Sequence, residues 1–435
     1  MAPKKIIIDT DPGVDDILAL LLALSASSEE LEVALVSLTF GNIGVEECLR
    51  NAVSMFHILH MERQWRIEKG MEPGFSALER CKPVLAVGAT CPIEDQLLEH
   101  DYFHGKDGLQ GVHEAEMLAH LHHSPSEAWK HMFASSGTSD DSSFAVLPPN
   151  FRPSVIPAYK EILNVLRENE PDSVTIVAVG PLANLALAAN EDVETFLRAK
   201  EVVVMGGTLN VEGNITPVAE FNQYACSYSA ARIYALTSPT PRSTMPPCRE
   251  LQPYPDQLSR PLKLTIFPLD ITTTTLLSLE TFDQVTKLVL SPESPENGSP
   301  LAQWVRYFVA RTFDVIKDTL EGERDRDRFL ALHDPLCIWY VLTSETGEWT
   351  INENVDVRVE VDGQWTRGMS VVDKRTKIKE LDETKPLKDS DRGAWLHVTT
   401  GNRVRVAVDL RDRETFGADM LRRIFLTTKS TNALA

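Results

Sequence analysis

The sequence predicts an α/β fold: a single large domain with a mostly parallel central sheet flanked by helices, Rossmann-like in its alternation. Three observations carry that expectation. Short β-branched runs end repeatedly at Gly, Pro or Asn, most are followed by stretches of helical composition, and no linker, repeat or heptad divides the 435 residues. Strands of a parallel sheet, covered on both faces, read as unbroken apolar runs rather than alternating ones, as these do.

In chain order, residues 5–9 (Lys-Ile-Ile-Ile-Asp) are the first strand, which stops at Asp11-Pro12-Gly13, and residues 15–24 follow as a helix. Residues 31–39 form the second strand, closing at Phe40-Gly41-Asn42, before an amphipathic helix over 45–61. Further strands are expected at 84–87, 174–179, 202–205 and 264–269, and a buried helix at 337–342. From Trp349 the pattern changes to short strands (355–361, 404–408) and a last amphipathic helix (414–425), read as the closing layer of the same domain. Residues 63–79, 135–153 and 238–261 interrupt the rhythm. Because the pattern resumes unchanged after each, they are expected to be surface insertions within one domain spanning 1–435.

Charge and composition exclude several classes. With 43 basic against 63 acidic side chains the formal charge is −20, which argues against a nucleic-acid or anionic-membrane partner. A 43% hydrophobic content excludes disorder as the main state. The six cysteines show no C-x-x-C spacing, so neither a zinc site nor a stapled secreted domain is indicated. Only Ile6 to Ile8 separate Lys5 from Asp9, short of a signal-peptide core, and the longest apolar run, 17–26, is too short to span a bilayer. A soluble, cytoplasmic protein is expected.

The first loop holds the most informative chemistry. Asp9-Thr10-Asp11-Pro12-Gly13-Val14-Asp15-Asp16 places four carboxylates in eight residues at the carboxyl end of a buried strand, where α/β sheets bind ligands. Like charges this close raise one another's pKa, so a cation is the simplest way to keep them ionised. Oxygen ligands suit Ca²⁺, or Mg²⁺ with more water retained. A lone Asp-Asp pair would be explained by the favourable helix N-terminus alone; the full string is not.

The string D-x-D-P-G-x-D-D resembles the N-terminal signature of the inosine-uridine-preferring nucleoside hydrolase family, and further segments match in order down the chain. His104-Gly105-Lys106-Asp107-Gly108-Leu109-Gln110-Gly111 is similar to the family's H-G-x-x-G-L-x-G loop, which closes over substrate; its glycines also read directly as a mobile lid. Residues 177–184 resemble the strand whose main-chain carbonyl, here Val179, ligates calcium. Gly213-Asn214-Ile215-Thr216-Pro217 with Ala219-Glu220-Phe221-Asn222 resembles the ribose-binding segment, and Leu332-His333-Asp334-Pro335 the segment that gives a third carboxylate.

The resemblance implies a nucleoside hydrolase fold and Ca²⁺-dependent hydrolysis of the N-glycosidic bond of ribonucleosides, in nucleoside catabolism and salvage. It implies Asp11, Asp16, Asp334 and the Val179 carbonyl on the metal, with Asp11 also the general base. Asp15 and Asn42 would orient the 2′-hydroxyl, Asn222 the 3′-hydroxyl, and Asn214 and Glu220 the 5′ end. His333 and His104 are the candidate groups for the leaving base, and Asp9 supports the loop. The partner implied is a small-molecule nucleoside, uridine- or inosine-type or broader, and the assembly a homodimer or homotetramer. Departures from the pattern lie at Cys226-Ser227-Tyr228, in place of D-P-E, and at Thr272-Thr273, where many relatives carry His after V-T. Two rival readings are a D-x-D phosphohydrolase of the haloacid-dehalogenase type and a ribose-binding pseudoenzyme. The P-G-x-D-D continuation disfavours the first, and the complete set of matched residues the second.

Overall fold

The computed structural model describes residues 2–98, 103–123, 127, 129–133, 150–291, 297–319, 329–346 and 348–426. β1 (Lys4–Thr10) leads into α1 (Val14–Ser25), β2 (Leu31–Leu38) into α2 (Val45–Glu68), and α3 (Ala77–Arg80) precedes β3 (Val84–Val87). Then come β4 (Arg152–Ser154), α4 (Ala158–Glu168), β5 (Val174–Ala178), α5 (Ala183–Glu191), α6 (Val193–Phe196) and β6 (Glu201–Met205). The next group is α7 (Phe221–Ala225), α8 (Ser227–Ala235), β7 (Leu264–Phe267), α9 (Leu269–Thr272), β8 (Leu276–Ser278), α10 (Leu279–Thr286), α11 (Pro300–Thr319), β9 (Phe329–Ala331) and α12 (His333–Thr343). The last is β10 (Trp349–Val355), β11 (Val357–Val359), β12 (Ser370–Val372), β13 (Val404–Leu410) and α13 (Arg413–Phe425).

Among the described residues, nine strands form one sheet in the order β10-β13-β7-β6-β5-β1-β2-β3-β4. Every pairing in it is parallel except β10 with β13. The two-residue side-chain period splits the apolar runs between two cores. Ile6, Ile8, Val177, Val203 and Met205 face a layer containing α1, α2, α11, α12 and α13, whereas Ile7, Ile176, Val202 and Val204 face one containing α4, α5 and α8. α1 is buried from Val14 to Leu24; past Asp15 and Asp16 it is apolar on every side, from Ile17 to Leu24, as a helix in the core must be. At the far edge, β4 contains Pro153, tolerated because an edge strand has one side without a ladder partner. β10 and β13 extend the sheet itself, so the segment after Trp349 is part of this domain.

The interruptions differ in kind. The first begins inside a helix: α2 continues to Glu68 because Arg66, 2% exposed, pairs with Glu62 at 2.7 Å and donates to the Ile424 carbonyl. A buried ion pair made a polar stretch look like an insertion. Residues 135–149 lie outside the described residues, and 152–153 belong to β4. The third packs against α8, where Arg232 donates to the Gln252 carbonyl at 2.7 Å and lies 4.6 Å over the ring of Tyr254. Among the described residues no helix is long and apolar enough to cross a membrane.

Candidate active site

The carboxyl ends of β1, β2, β5 and β6 and the N-terminus of α12 converge on one cleft of about 420 Å³. Its floor is the acidic loop. Asp9 does not face the cleft: its Oδ1 accepts from Asn184 Nδ2 at 2.8 Å and from the Ser37 hydroxyl, tying β1 to β2 and α5. Burial pushes its pKa up to about 7.

Asp16 sits at the third position of α1, where its carboxylate meets the unpaired N–H groups of the helix start. It accepts from Thr10 Oγ1 at 2.5 Å, the Asp11 and Gly13 N–H groups at 3.2 and 3.0 Å, and Asn42 Nδ2 at 2.9 Å. Asp11 Oδ2 accepts from the Asn42 N–H at 2.6 Å, while its Oδ1 is buried with no hydrogen-bond partner among the described residues. Two glycines make room for it. A Cβ on Gly41 would lie 2.0 Å from Asp11 Oδ2, and one on Gly180 would lie 2.3 Å from Oδ1.

One carboxylate oxygen each from Asp15, Asp16 and Asp334 lie within 4.8 Å of one another, although Asp334 is more than 300 residues away in sequence. Burial, then repulsion from Asp16, raises Asp15 to about 7. Burial and the three loop aspartates push Asp334 well above the ordinary carboxylate range, and burial with Asp16 does the same for Asp11. Acidic oxygens that repel one another, with one left unpartnered, fit a hard divalent cation better than a zinc site, which wants nitrogen or sulfur. A metal ion is therefore compatible with the donor set.

The opposite wall comes from β5, β6 and the start of α7. Glu220 caps α7, accepting from the Gly207, Asn222 and Gln223 N–H groups at 2.9, 2.8 and 3.0 Å. Burial raises its pKa even so. Asn214 Oδ1 accepts from the Phe221 N–H at 2.9 Å, and Asn222 Nδ2 donates to the Val179 carbonyl at 2.8 Å. Val179, Asn214, Glu220 and Asn222 thus line the cleft together with Asp15, Asn42, Asp334, His104 and His333, while Asp11 and Asp16 are fully buried outside that lining.

The loop over 104–111 is docked on the acidic loop. His104 Nδ1 accepts from the Val14 N–H at 3.0 Å. Gly105, Gly108 and Gly111 have φ of 77°, 78° and 80°, the left-handed region that glycine alone enters freely. Asn51 clamps the two loops together: its Nδ2 donates at 2.8 Å to both the Pro12 and Asp107 carbonyls. Sequence reasoning missed Asn51; its signal is an amide among the apolar residues of α2. It also missed Thr272, whose Oγ1 lies 2.7 Å from His333 Nδ1, and the apolar lining from Phe103, Phe221, Ile316 and Phe329. Burial lowers His333 to about 4, so its neutral form dominates.

Comparison with known proteins bears on this arrangement. Residues 6–418 match the family described as inosine-uridine preferring nucleoside hydrolase. An uncharacterized protein of Schizosaccharomyces pombe is 29% identical over 377 residues, covering 85% of this chain and 89% of its own. The pyrimidine-specific ribonucleoside hydrolase RihA of Klebsiella pneumoniae is 28% identical over 391 residues, covering 90% and 95%. Among solved structures, the plant nucleoside hydrolase PpNRh1 superposes with a TM-score of 0.62 at 21% identity over 98% of this chain and 100% of its own. A purine-preferring ribonucleoside hydrolase from Gardnerella vaginalis gives 0.62 at 19% over 97% and 98%, a likeness of fold. With a family match running from β1 into α13, the chain belongs to the inosine-uridine preferring nucleoside hydrolases and is a hydrolase acting on N-glycosyl bonds.

Proposed function

We propose that the chain is a Ca²⁺-dependent ribonucleoside hydrolase that releases free base and ribose from uridine- or inosine-type nucleosides or a broader set. The observation that carries this reading is the approach of Asp15, Asp16 and Asp334 to within 4.8 Å at the floor of a cleft whose facing wall presents Asn214, Glu220 and Asn222. The ion would be held by Asp11, Asp16, Asp334 and the Val179 carbonyl; the unpartnered Asp11 Oδ1 supports including Asp11. When bound, Ca²⁺ supplies positive charge that acidifies water and binds a sugar diol.

The chain's own groups do the rest. Asp11 takes the proton of the attacking water, whose oxygen bonds to C1′ as the C1′–N electron pair leaves with the base. Asp15 and Asn42 orient the 2′-hydroxyl, Asn222 the 3′-hydroxyl, and Asn214 and Glu220 the 5′ end. The surrounding carboxylates stabilise positive charge on the sugar. His333 and His104 assist the departing base by donating a hydrogen bond or a proton. We place the enzyme in the cytoplasm, in nucleoside catabolism, as a dimer or tetramer, to be checked by light scattering.

The deciding experiment follows reducing-sugar release from uridine, cytidine, inosine, adenosine and nicotinamide riboside. The similarity to pyrimidine-specific hydrolases makes uridine and cytidine the first to try. Turnover should vanish with EDTA and return with Ca²⁺ but not Mg²⁺. No cleavage of any of the five with Ca²⁺ present would overturn the reading, and equal rescue by Mg²⁺ would overturn its metal.

A further inference from the structure

We propose that Thr272 is a positioning residue: its hydroxyl donates to His333 Nδ1 and so holds His333 in the tautomer that carries the proton on Nε2. The inference rests on the reading of His333 as a group that assists the leaving base.

Thr272 ends α9, is fully buried, and has its Oγ1 2.7 Å from His333 Nδ1. Its three successors behave as threonines near helices do, with hydroxyls donating to main-chain carbonyls: Thr273 to Leu269 at 2.7 Å, Thr274 to Ile271 at 2.7 Å and Thr275 to Thr272 at 3.0 Å. Thr272 makes no such bond; His333 is its hydroxyl's partner among the described residues. That difference favours the hydroxyl as the donor. If Nδ1 carried the hydrogen, it would donate to Oγ1 and leave the threonine hydrogen buried without an acceptor. If the threonine donates, only a lone pair is left over, and an unmet donor is the costlier deficit.

The donating threonine leaves the single ring hydrogen on Nε2. His333 lines the cleft, and its Nε2 makes no hydrogen bond to a described residue. A donor is therefore presented where the C1′–N electron pair of a departing base accumulates. The bond broken is C1′–N; the base leaves as its anion, stabilised by a hydrogen bond from Nε2–H, and takes its proton from water afterwards, so no proton need leave a neutral imidazole. The opposite tautomer would present a lone pair and repel the leaving group.

The test uses the Ca²⁺-loaded enzyme and three variants, Thr272→Val, Thr272→Ser and His333→Gln. In spectra of ¹⁵N-histidine-labelled protein, the signals absent from His333→Gln identify His333. Wild type and Thr272→Ser should show a protonated Nε2 and a bare Nδ1, and Thr272→Val a mixture. Thr272→Val should cut kcat on uridine by roughly ten-fold, the worth of one hydrogen bond, and leave KM and turnover of p-nitrophenyl riboside unchanged. Thr272→Ser should restore the rate. A wild-type proton on Nδ1, an unchanged tautomer in Thr272→Val, or an equal loss on both substrates would overturn the proposal. Full uridine turnover by His333→Gln would instead overturn the role given to His333, and the spectra would still report on Thr272.

Discussion

Two clusters of like titratable groups solve the same electrostatic problem in opposite ways. Asp11, Asp15, Asp16 and Asp334 are buried together, and N–H groups of the helix start and of Asn42 donate to Asp11 and Asp16. His57, His113, His122 and His123 surround a small cavity of about 40 Å³ beside Arg50. The rings of His57 and His123 sit 4.0 Å apart. Burial lowers His57 and, with Arg50 beside it, His113 to about 4, so these two rings pack as neutral bodies. Partner inventory, not residue count, decides what a cluster is for. Donors around acids prepare a cation site; an arginine beside histidines discourages one.

The largest effect that could break this contrast is catalytic. Asp11→Asn should lower uridine turnover by about 10²–10⁴-fold, with a circular dichroism spectrum like wild type because the amide oxygen still accepts from the Asn42 N–H. His57→Phe should leave turnover close to normal. Comparable losses in both would erase the distinction. Next, Ca²⁺ at a hundred times its Kd should stabilise the fold by about 2.7 kcal/mol against urea. Asp16→Asn should lose that gain; a gain retained there would remove Asp16 from the ion.

The clamp between the two regions comes third. Asn51→Ala leaves the Pro12 and Asp107 carbonyls unpaired and frees His113, whose Nε2 lies 2.6 Å from Asn51 Oδ1. A destabilisation of about 1–3 kcal/mol in urea titrations is expected, with a raised KM. The smallest effect concerns pH. The folded pKa of His57 and His113 lies below an unfolded value near 6.5, so the unfolded chain binds more protons between about 4 and 6.5. Their contribution is intact above that window and lost as pH falls through it. His57→Phe should flatten the acid side of the stability profile, and an unaltered slope would show that His57 is already charged in the fold.

The sequence carried the acidic loop and most of the parallel strands because both are local: a string of eight residues, or an apolar run bounded by turn formers. It carried less where meaning depends on a distant partner. Arg66 read as surface until Glu62 and the Ile424 carbonyl were beside it. Asn51 gains its role only from loops 39 and 56 residues away, and Thr272 from a ring 61 residues on. Likewise, no composition signal marks a carbonyl such as that of Val179, where any side chain would serve. Glu220 and Asn214 were legible by resemblance, but not the fact that both also tie down backbone N–H groups around α7.

The glycines flanking Asp11 bear on how this protein can vary. Since the missing methyl groups at positions 41 and 180 would overlap the carboxylate oxygens, the mildest substitution available is already a collision. A selection from codon-randomised libraries should recover glycine alone at both places, and drift there is closed to any lineage that keeps the reaction.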